Sequence, residues 1–291
     1  MNLEAYGKLT KDYNLINDNH FKIKCICDYF IVVDNVIKLT NLIKYLEDEK
    51  QKYLIIGGGC NIILPEFYHG VVIKLLFNDL LIDKYQVEVG ASYNLSKLAM
   101  DTVNLNLAGL EWAAQIPGTV GGAVIGNAGA NAANINGILE WVDKLEVLEN
   151  HKIKIMRKND FEYGYRYTNL KTKNIIIIKV YLTLEKGKKS DLLQIIKDNS
   201  EKRMATQPLE YPSVGSIFRN PEGHSAGKLI EDAHLKGYKI GGAMVSEKHA
   251  NFIINYDNAT SEDIIKLIKH VHNEVLKKYN IDLKVEPQII E

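Results

Sequence analysis

Two glycine-rich stretches are where this sequence first offers chemistry. In I-I-G-G-G-C-N-I-I-L, residues 55–64, a strand-like run meets Gly57, Gly58 and Gly59, with Cys60 and Asn61 next in line. Successive glycines permit positive φ and bring bare backbone N–H groups close to a ligand, a nest suited to a pyrophosphate. The stretch is a poor G-x-G-x-x-G fingerprint, because Ile62 stands at the third glycine position. Taken alone, it also reads as a tight turn without a ligand. The second stretch, G-L-E-W-A-A-Q-I-P-G-T-V-G-G-A-V-I-G-N-A-G-A at 109–130, holds six glycines. It leaves little side chain for a core, while Pro117 stiffens it and the T-V-G-G-A segment adds the Thr119 hydroxyl and further backbone donors. Small residues over such a length mean that something flat or phosphorylated approaches the backbone. Close packing of a helix on a sheet would explain the alanines but not I-P-G-T-V-G-G.

Other reactive types are sparse. The three cysteines, Cys25, Cys27 and Cys60, are odd in number and too few for a disulfide framework, and a single C-x-C pair is a poor zinc signature. Cys25 and Cys27 read as structural. His270 and His272 are two apart on a helical stretch and so point to different faces, which disfavours them as a metal pair. No metal site is expected.

The elements that must position these loops show in the periodicity. Ile37, Leu42, Ile43 and Leu46 fit one helical face, and the strands 53–57, 70–75 and 86–91 come after it. Residues 92–106 begin with polar capping candidates and place Leu95, Leu98, Ala99 and Thr102 on one face. W-V-D-K-L-E-V-L-E-N, H-K-I-K-I-M and N-I-I-I-I-K-V-Y-L-T-L-E-K form a run of strands to about residue 186. A helical stretch at 190–207 ends at Pro208 and leads into a second unit. That unit has a strand at 250–256, a helix opening at T-S-E-D with Thr260 and Asp263 at capping-box spacing, and a final strand L-K-V-E-P-Q-I-I. Strands joined by turns as well as by helices make the chain α+β.

A length of 291 residues suits about two domains. The 36 basic and 36 acidic residues cancel, so no long-range field draws the chain to nucleic acid or an anionic membrane. The amino terminus lacks an apolar stretch of signal-peptide length, and no segment reaches the roughly 18 apolar residues of a membrane span. A cytoplasmic protein is expected, with no obligate protein partner implied.

The motifs then fall into a recognisable order. G-x-G-x-N at 57–61, with G-L-E-(x)4-I-P-G-T-V-G-G-A-(x)3-N-A-G-A after it at 109–130, resembles the flavin-binding half of the UDP-N-acetylenolpyruvoylglucosamine reductase family. Y-G-Y-R-Y-T-N at 163–169 resembles that family's tyrosine–arginine motif. Residues 211–255 resemble its substrate domain, and V-E-P-Q-I-I at 285–290 resembles its terminal segment. The resemblance covers residue 50 to the end and is of the shorter type, without a tyrosine-bearing insertion. It departs in three places: H-F-K-I-K-C-I-C-D-Y-F at 20–30 lacks the family's paired glycines, Cys60 stands for a serine, and Gln288 stands where arginine is common.

The resemblance implies a two-part FAD-binding domain of the PCMH type at 1–188, with subdomains at about 1–75 and 76–188. Next comes a smaller α+β substrate-binding domain at 189–291, whose terminal strand returns a catalytic glutamate. It implies noncovalent FAD, NADPH as hydride donor, and reduction of the enolpyruvyl ether of UDP-N-acetylglucosamine to UDP-N-acetylmuramate in cell-wall precursor synthesis. The catalytic residues it implies are Arg166 on the enolate carboxylate, Ser216 as proton donor and Glu286 beside the carboxylate. For the flavin it implies Gly57, Gly58, Gly59, Cys60, Asn61, Pro117, Gly118, Thr119, Gly121, Gly122, Asn127, Gly129 and Ala130. For the UDP-sugar it implies Tyr165, Arg203, Gln207, Asn220 and Lys228. The alternatives are another flavin oxidoreductase of the same fold and a non-catalytic nucleotide-binding homologue.

Overall fold

Side-chain caps fix where most of the helices begin. Asn35 accepts a backbone N–H at the head of α1 (Val36–Asp48), Asn94 at α2 (Leu95–Asn104) and Thr119 at α3 (Val120–Gly126). Helix α4 spans Lys189–Thr206 and stops two residues short of Pro208, which cannot continue a helix. Ser225 caps α5 (Ala226–Asp232), and Thr260 with Asp263 forms the expected capping box of α6 (Ser261–Tyr279). The short helix α3 lies inside the stretch that reads as a loop in the sequence. This computed structural model describes residues 3–130 and 136–291.

The chain divides into two compact units. Unit one comprises Met1–Lys11, Tyr29–Gly58 and Gly70–Ser200; unit two comprises Asp12–Asp28, Gly59–His69 and Glu201–Glu291. In unit one an antiparallel sheet runs in the order Lys152–Arg157, Val142–Glu149, Ile175–Thr183, Gln86–Gly90, Leu80–Asp83. Alternate residues of these strands enter two different cores. Leu145, Val147, Ile177 and Val180 pack with Leu95 and Leu98 of α2 and Val120 and Val124 of α3. Leu148, Ile176 and Ile178 pack instead with Leu39, Leu42 and Leu46 of α1 and with Val71 and Ile73. Burial on both faces is why the central strand reads as an unbroken I-I-I-I run. A four-stranded sheet has the order Lys8–Asn14, Ile26–Val33, Phe67–Leu75, Tyr53–Ile56, its last pair parallel. Cys25, just before the second of these strands, and Cys27, within it, are fully buried as structural residues, and burial pushes their thiols up to about 11 and about 12.

In unit two an antiparallel sheet of Lys239–Ile240, Ala243–Val245 and Ile253–Asn255 meets the apolar face of α6, formed by Ile264, Leu267, Ile268, Val271 and Val275. The same core takes in Phe21, Ile23 and Ile63. Gln288–Ile289 pairs in parallel with Ile62–Ile63. The predicted final strand is therefore shorter than L-K-V-E-P-Q-I-I, with an isolated bridge at Val285 and no ladder through Pro287, which lacks an N–H. Phe21, Ile23 and Ile63 bring residues 12–28 and 59–69 to the C-terminal core, and the break between the units falls inside α4.

Candidate active site

The glycines of the first loop are fixed by protein atoms. A Cβ on Gly57 would lie 2.5 Å from Thr119 Oγ1, so the two glycine-rich stretches touch here. Gly59 has φ +64°, and its Cβ would lie 2.0 Å from the Asp18 carbonyl oxygen, while its own carbonyl accepts the His20 N–H at 3.1 Å. No other residue fits that position. Gly58, Cys60 and Asn61 are half-buried, and the Asn61 carbonyl accepts the Gln288 N–H at 3.0 Å. Burial pushes the Cys60 thiol up to about 12, so it stays neutral and poorly nucleophilic.

The second stretch departs from expectation in where its donors go. At the head of α3, the Val120 N–H donates to the Tyr93 carbonyl at 2.9 Å and the Gly121 N–H to the Ala91 carbonyl at 2.8 Å. The Gly122 N–H is turned to Thr119 Oγ1 at 3.3 Å. T-V-G-G-A is thus a capped helix start whose backbone donors are used within the protein, and Gly121 is glycine because its Cβ would lie 2.9 Å from Ala91 Cβ. Space for a ligand lies elsewhere on the stretch: Pro117 and Gly122 are exposed, and none of the described residues stands within 4 Å of a Cβ built on Gly126. Gly118 has φ +120°, and its carbonyl accepts the Leu95 N–H at 3.1 Å. These small, half-open surfaces suit a large planar cofactor with a pyrophosphate.

Asn127 organises the chain beyond α3. It is fully buried, in the left-handed region at φ 44°. Its Nδ2 donates to the Asn136 carbonyl at 3.0 Å and the Gly164 carbonyl at 2.7 Å, and its Oδ1 accepts the Leu139 N–H at 3.2 Å. It therefore ties the end of α3 to the tyrosine–arginine hairpin. In that hairpin Tyr163–Gly164 pairs with Tyr167–Thr168, leaving Tyr165 and Arg166 as the two turn residues. Arg166 sits at φ 53°, in the left-handed region, as Lys22, Lys50 and Lys84 do elsewhere in the chain. Its Nη2 donates to the Gly129 carbonyl, and its guanidinium lies 5.4 Å from the centroid of the exposed Tyr165 ring. Ala130 is half-buried and immediately precedes residues 131–135, which are outside the described part.

Arg166 belongs to unit one; Ser216 and Glu286 both belong to unit two, where the backbone brings them side by side. Gly215, at φ +86° with none of the described residues within 4 Å of where a Cβ would be, bends the chain just before Ser216. The next residue, Ile217, gives its carbonyl to the Glu286 N–H at 2.8 Å. Ser216 is half-buried, and its hydroxyl makes no hydrogen bond among the described residues.

The substrate candidates are placed unevenly. Arg203 Nε donates to Gln207 Oε1 at 2.9 Å across one turn at the end of α4, and burial lowers the guanidinium's pKa from its ordinary value. Asn220 is exposed, and its Oδ1 already accepts the Ala226 N–H at 3.0 Å, which leaves its Nδ2 for a ligand. Lys228 is exposed and pairs with Asp232. Arg219 escaped the sequence reading: its Nε is buried without a partner among the described residues. Only the three-dimensional burial of that atom gives it away. No cluster of metal-binding side chains occurs among the described residues.

Comparison with known proteins gives this geometry its class. A model described as an FAD-binding domain matches residues 27–151, so the amino-terminal part is that of a flavin-binding oxidoreductase. The model of the UDP-N-acetylenolpyruvoylglucosamine reductase C-terminal domain matches residues 207–290. The UDP-N-acetylenolpyruvoylglucosamine reductase of Caldanaerobacter subterraneus is 38% identical over 98% of this chain and 94% of its own length. That of Bacillus subtilis is 37% identical over the same shares, 98% and 94%. The crystal structure of the Thermus caldophilus enzyme superposes with a TM-score of 0.81 at 27% identity, covering 98% of each chain. The chain belongs to the UDP-N-acetylenolpyruvoylglucosamine reductase family.

Proposed function

We infer that this chain reduces UDP-N-acetyl-3-O-(1-carboxyvinyl)-glucosamine to UDP-N-acetylmuramate, with FAD as cofactor and NADPH as donor. The observation that carries this is similarity over 98% of the chain to reductases of that name, spanning the substrate half as well as the flavin half. A different oxidase sharing only the flavin-binding fold leaves the match at 207–290 unexplained. A non-catalytic homologue leaves Arg166, Ser216 and Glu286 together without a use.

FAD, when bound, carries hydride from NADPH to the methylene carbon of the enol ether. The first glycine loop, 57–61, and the open surfaces of 117–130 are the residues we assign to hold it; Gly121 and Asn127 shape that surface from within. The chain's part in the reduction is to bind the substrate, stabilise charge and deliver one proton. Arg166 grips the substrate carboxylate, onto which charge flows, through the planar fork of its guanidinium donors. Glu286 donates a hydrogen bond to the enolate when protonated. Ser216 supplies the proton to the second alkene carbon, and its hydroxyl has no hydrogen bond among the described residues to break first. Arg203, Gln207, Tyr165, the Asn220 amide and Lys228 hold the UDP-sugar. Arg219, with its orphaned donor, is the addition we make for the diphosphate. No helix among the described residues is long and apolar enough to cross a membrane. We place the reaction in the cytoplasm, in peptidoglycan precursor supply and hence in cell shape and division.

The test is consumption of NADPH that depends on the enolpyruvyl sugar nucleotide and yields UDP-N-acetylmuramate. Oxidation of NADPH by oxygen alone, indifferent to that substrate, would refute the reading. Two predictions accompany it. Denaturation and desalting should strip all yellow colour from the chain, because a thiol held at about 12 at Cys60 does not attack the flavin. Colour retained on the protein would contradict noncovalent binding. Arg166→Lys should lower turnover about tenfold or more, roughly 1.4 kcal/mol in the barrier, since an ammonium cannot form the bidentate grip. The melting temperature should barely move, and near-normal turnover would take Arg166 out of the site.

A further inference from the structure

Asn251 is buried, only 4% exposed, and commits its whole side chain to the segment that carries Ser216. Its Oδ1 accepts the Phe218 N–H at 2.9 Å and its Nδ2 donates to the Phe218 carbonyl at 2.8 Å. Its own carbonyl accepts the Ile217 N–H at 2.8 Å. The amide thus stands in for a peptide group of a neighbouring strand. From the other side, the Glu286 N–H reaches the Ile217 carbonyl at 2.8 Å and the Arg219 N–H reaches the Lys284 carbonyl at 2.9 Å. The backbone N–H and carbonyl of both Ile217 and Phe218 are therefore fixed, half of them by Asn251 side-chain atoms. Asn251 is itself anchored, its N–H donating to His249 Nδ1 at 3.2 Å.

Ser216 has the opposite character. Its hydroxyl is tied to nothing among the described residues, so its place depends on the backbone around it: the bend at Gly215, the bridge to Phe252, and the clamped pair at 217–218. We propose that Asn251 is a positioning residue for proton delivery, holding Ser216 and Glu286 in a fixed relation by clamping the two residues between them and the Glu286 strand. The proposal rests on the reading of Ser216 as the proton donor. A donor displaced by about 1 Å loses on the order of a hundredfold in rate. Asn251→Ala leaves the Phe218 N–H and carbonyl without partners and frees the segment to shift.

The experiment is an anaerobic stopped-flow comparison of wild type, Asn251→Ala, Ser216→Ala and the double variant, each per mole of bound flavin. Asn251→Ala should bleach with NADPH within about twofold of wild type and bind UDP-N-acetylmuramate with nearly unchanged affinity. Its reoxidation by the enolpyruvyl substrate should slow by about ten- to a hundredfold. In the double variant the loss should fall well short of the product of the two single losses, because Asn251 acts chiefly through Ser216. Amide exchange in the peptide 214–220 should accelerate. Wild-type reoxidation by Ser216→Ala would overturn the proton-donor reading itself. Slow Ser216→Ala with fast Asn251→Ala, or fully additive losses, would overturn the positioning role alone. Should the alanine variant not fold, Asn251→Asp keeps the acceptor for Phe218 N–H but sets an oxygen against the Phe218 carbonyl, and the same criteria apply to it.

Discussion

Ser216→Ala is expected to separate the two halves of the catalytic cycle. Taking hydride from NADPH needs no proton from a serine, so the variant's flavin should bleach at nearly the wild-type rate. Reduction of the enol ether does need one, because hydride addition leaves a carbanion-like carbon. The substitution removes one oxygen and no hydrogen bond internal to the described residues, so the fold and flavin content should persist. Reoxidation by the substrate should fall at least a hundredfold, the scale of a lost general acid at about 10²–10⁴. Ser216→Cys should recover part of that loss, since a thiol still gives a proton. Slowed bleaching with normal reoxidation would remove Ser216 from the role.

Asn127→Ala should be the most damaging change to the fold near the flavin surface. Asn127 makes three hydrogen bonds, to Asn136, Gly164 and Leu139, and is wholly buried. Alanine would leave the buried Leu139 N–H without its partner at a cost of about 1–3 kcal/mol, whereas Asn136 is exposed and Gly164 half-buried, so water can meet those two carbonyls. It would also occupy the left-handed region at φ 44° less comfortably than asparagine. A loss of about 1–3 kcal/mol is expected, read as a fall in melting temperature and in flavin retained after gel filtration. Because Asn127 holds Gly164 at the base of the Arg166 hairpin, the surviving protein should also turn over slowly. A melting temperature within about a degree of wild type would show that the three bonds do not carry the loop.

The sequence disclosed best the features that are local. Helix α6 could be bounded because Thr260 and Asp263 lie three apart, and the strands because their apolar residues alternate or run unbroken. Helix α3 was hidden by its three glycines, each of which weakens helix formation by about 1 kcal/mol. The Thr119 cap and packing of Val120 and Val124 on the sheet override that preference. The motif residues were legible as a family pattern, but the role of several was not. Gly59 is required by Asp18, Gly57 by Thr119, and Asn127 by carbonyls up to 37 residues away. Asn251 and Arg219 lie within the 211–255 resemblance but nothing there singled them out, since one bonds to Phe218 and the other is marked only by a buried nitrogen. Long-range hydrogen bonding has no period to read.

The central claim is most directly tested on the purified wild-type protein without oxygen. Its visible flavin bands should bleach on addition of NADPH and return on addition of UDP-N-acetyl-3-O-(1-carboxyvinyl)-glucosamine, with one UDP-N-acetylmuramate formed per flavin reoxidised. Bands that stay bleached in the presence of that substrate, or return without product, would contradict the account.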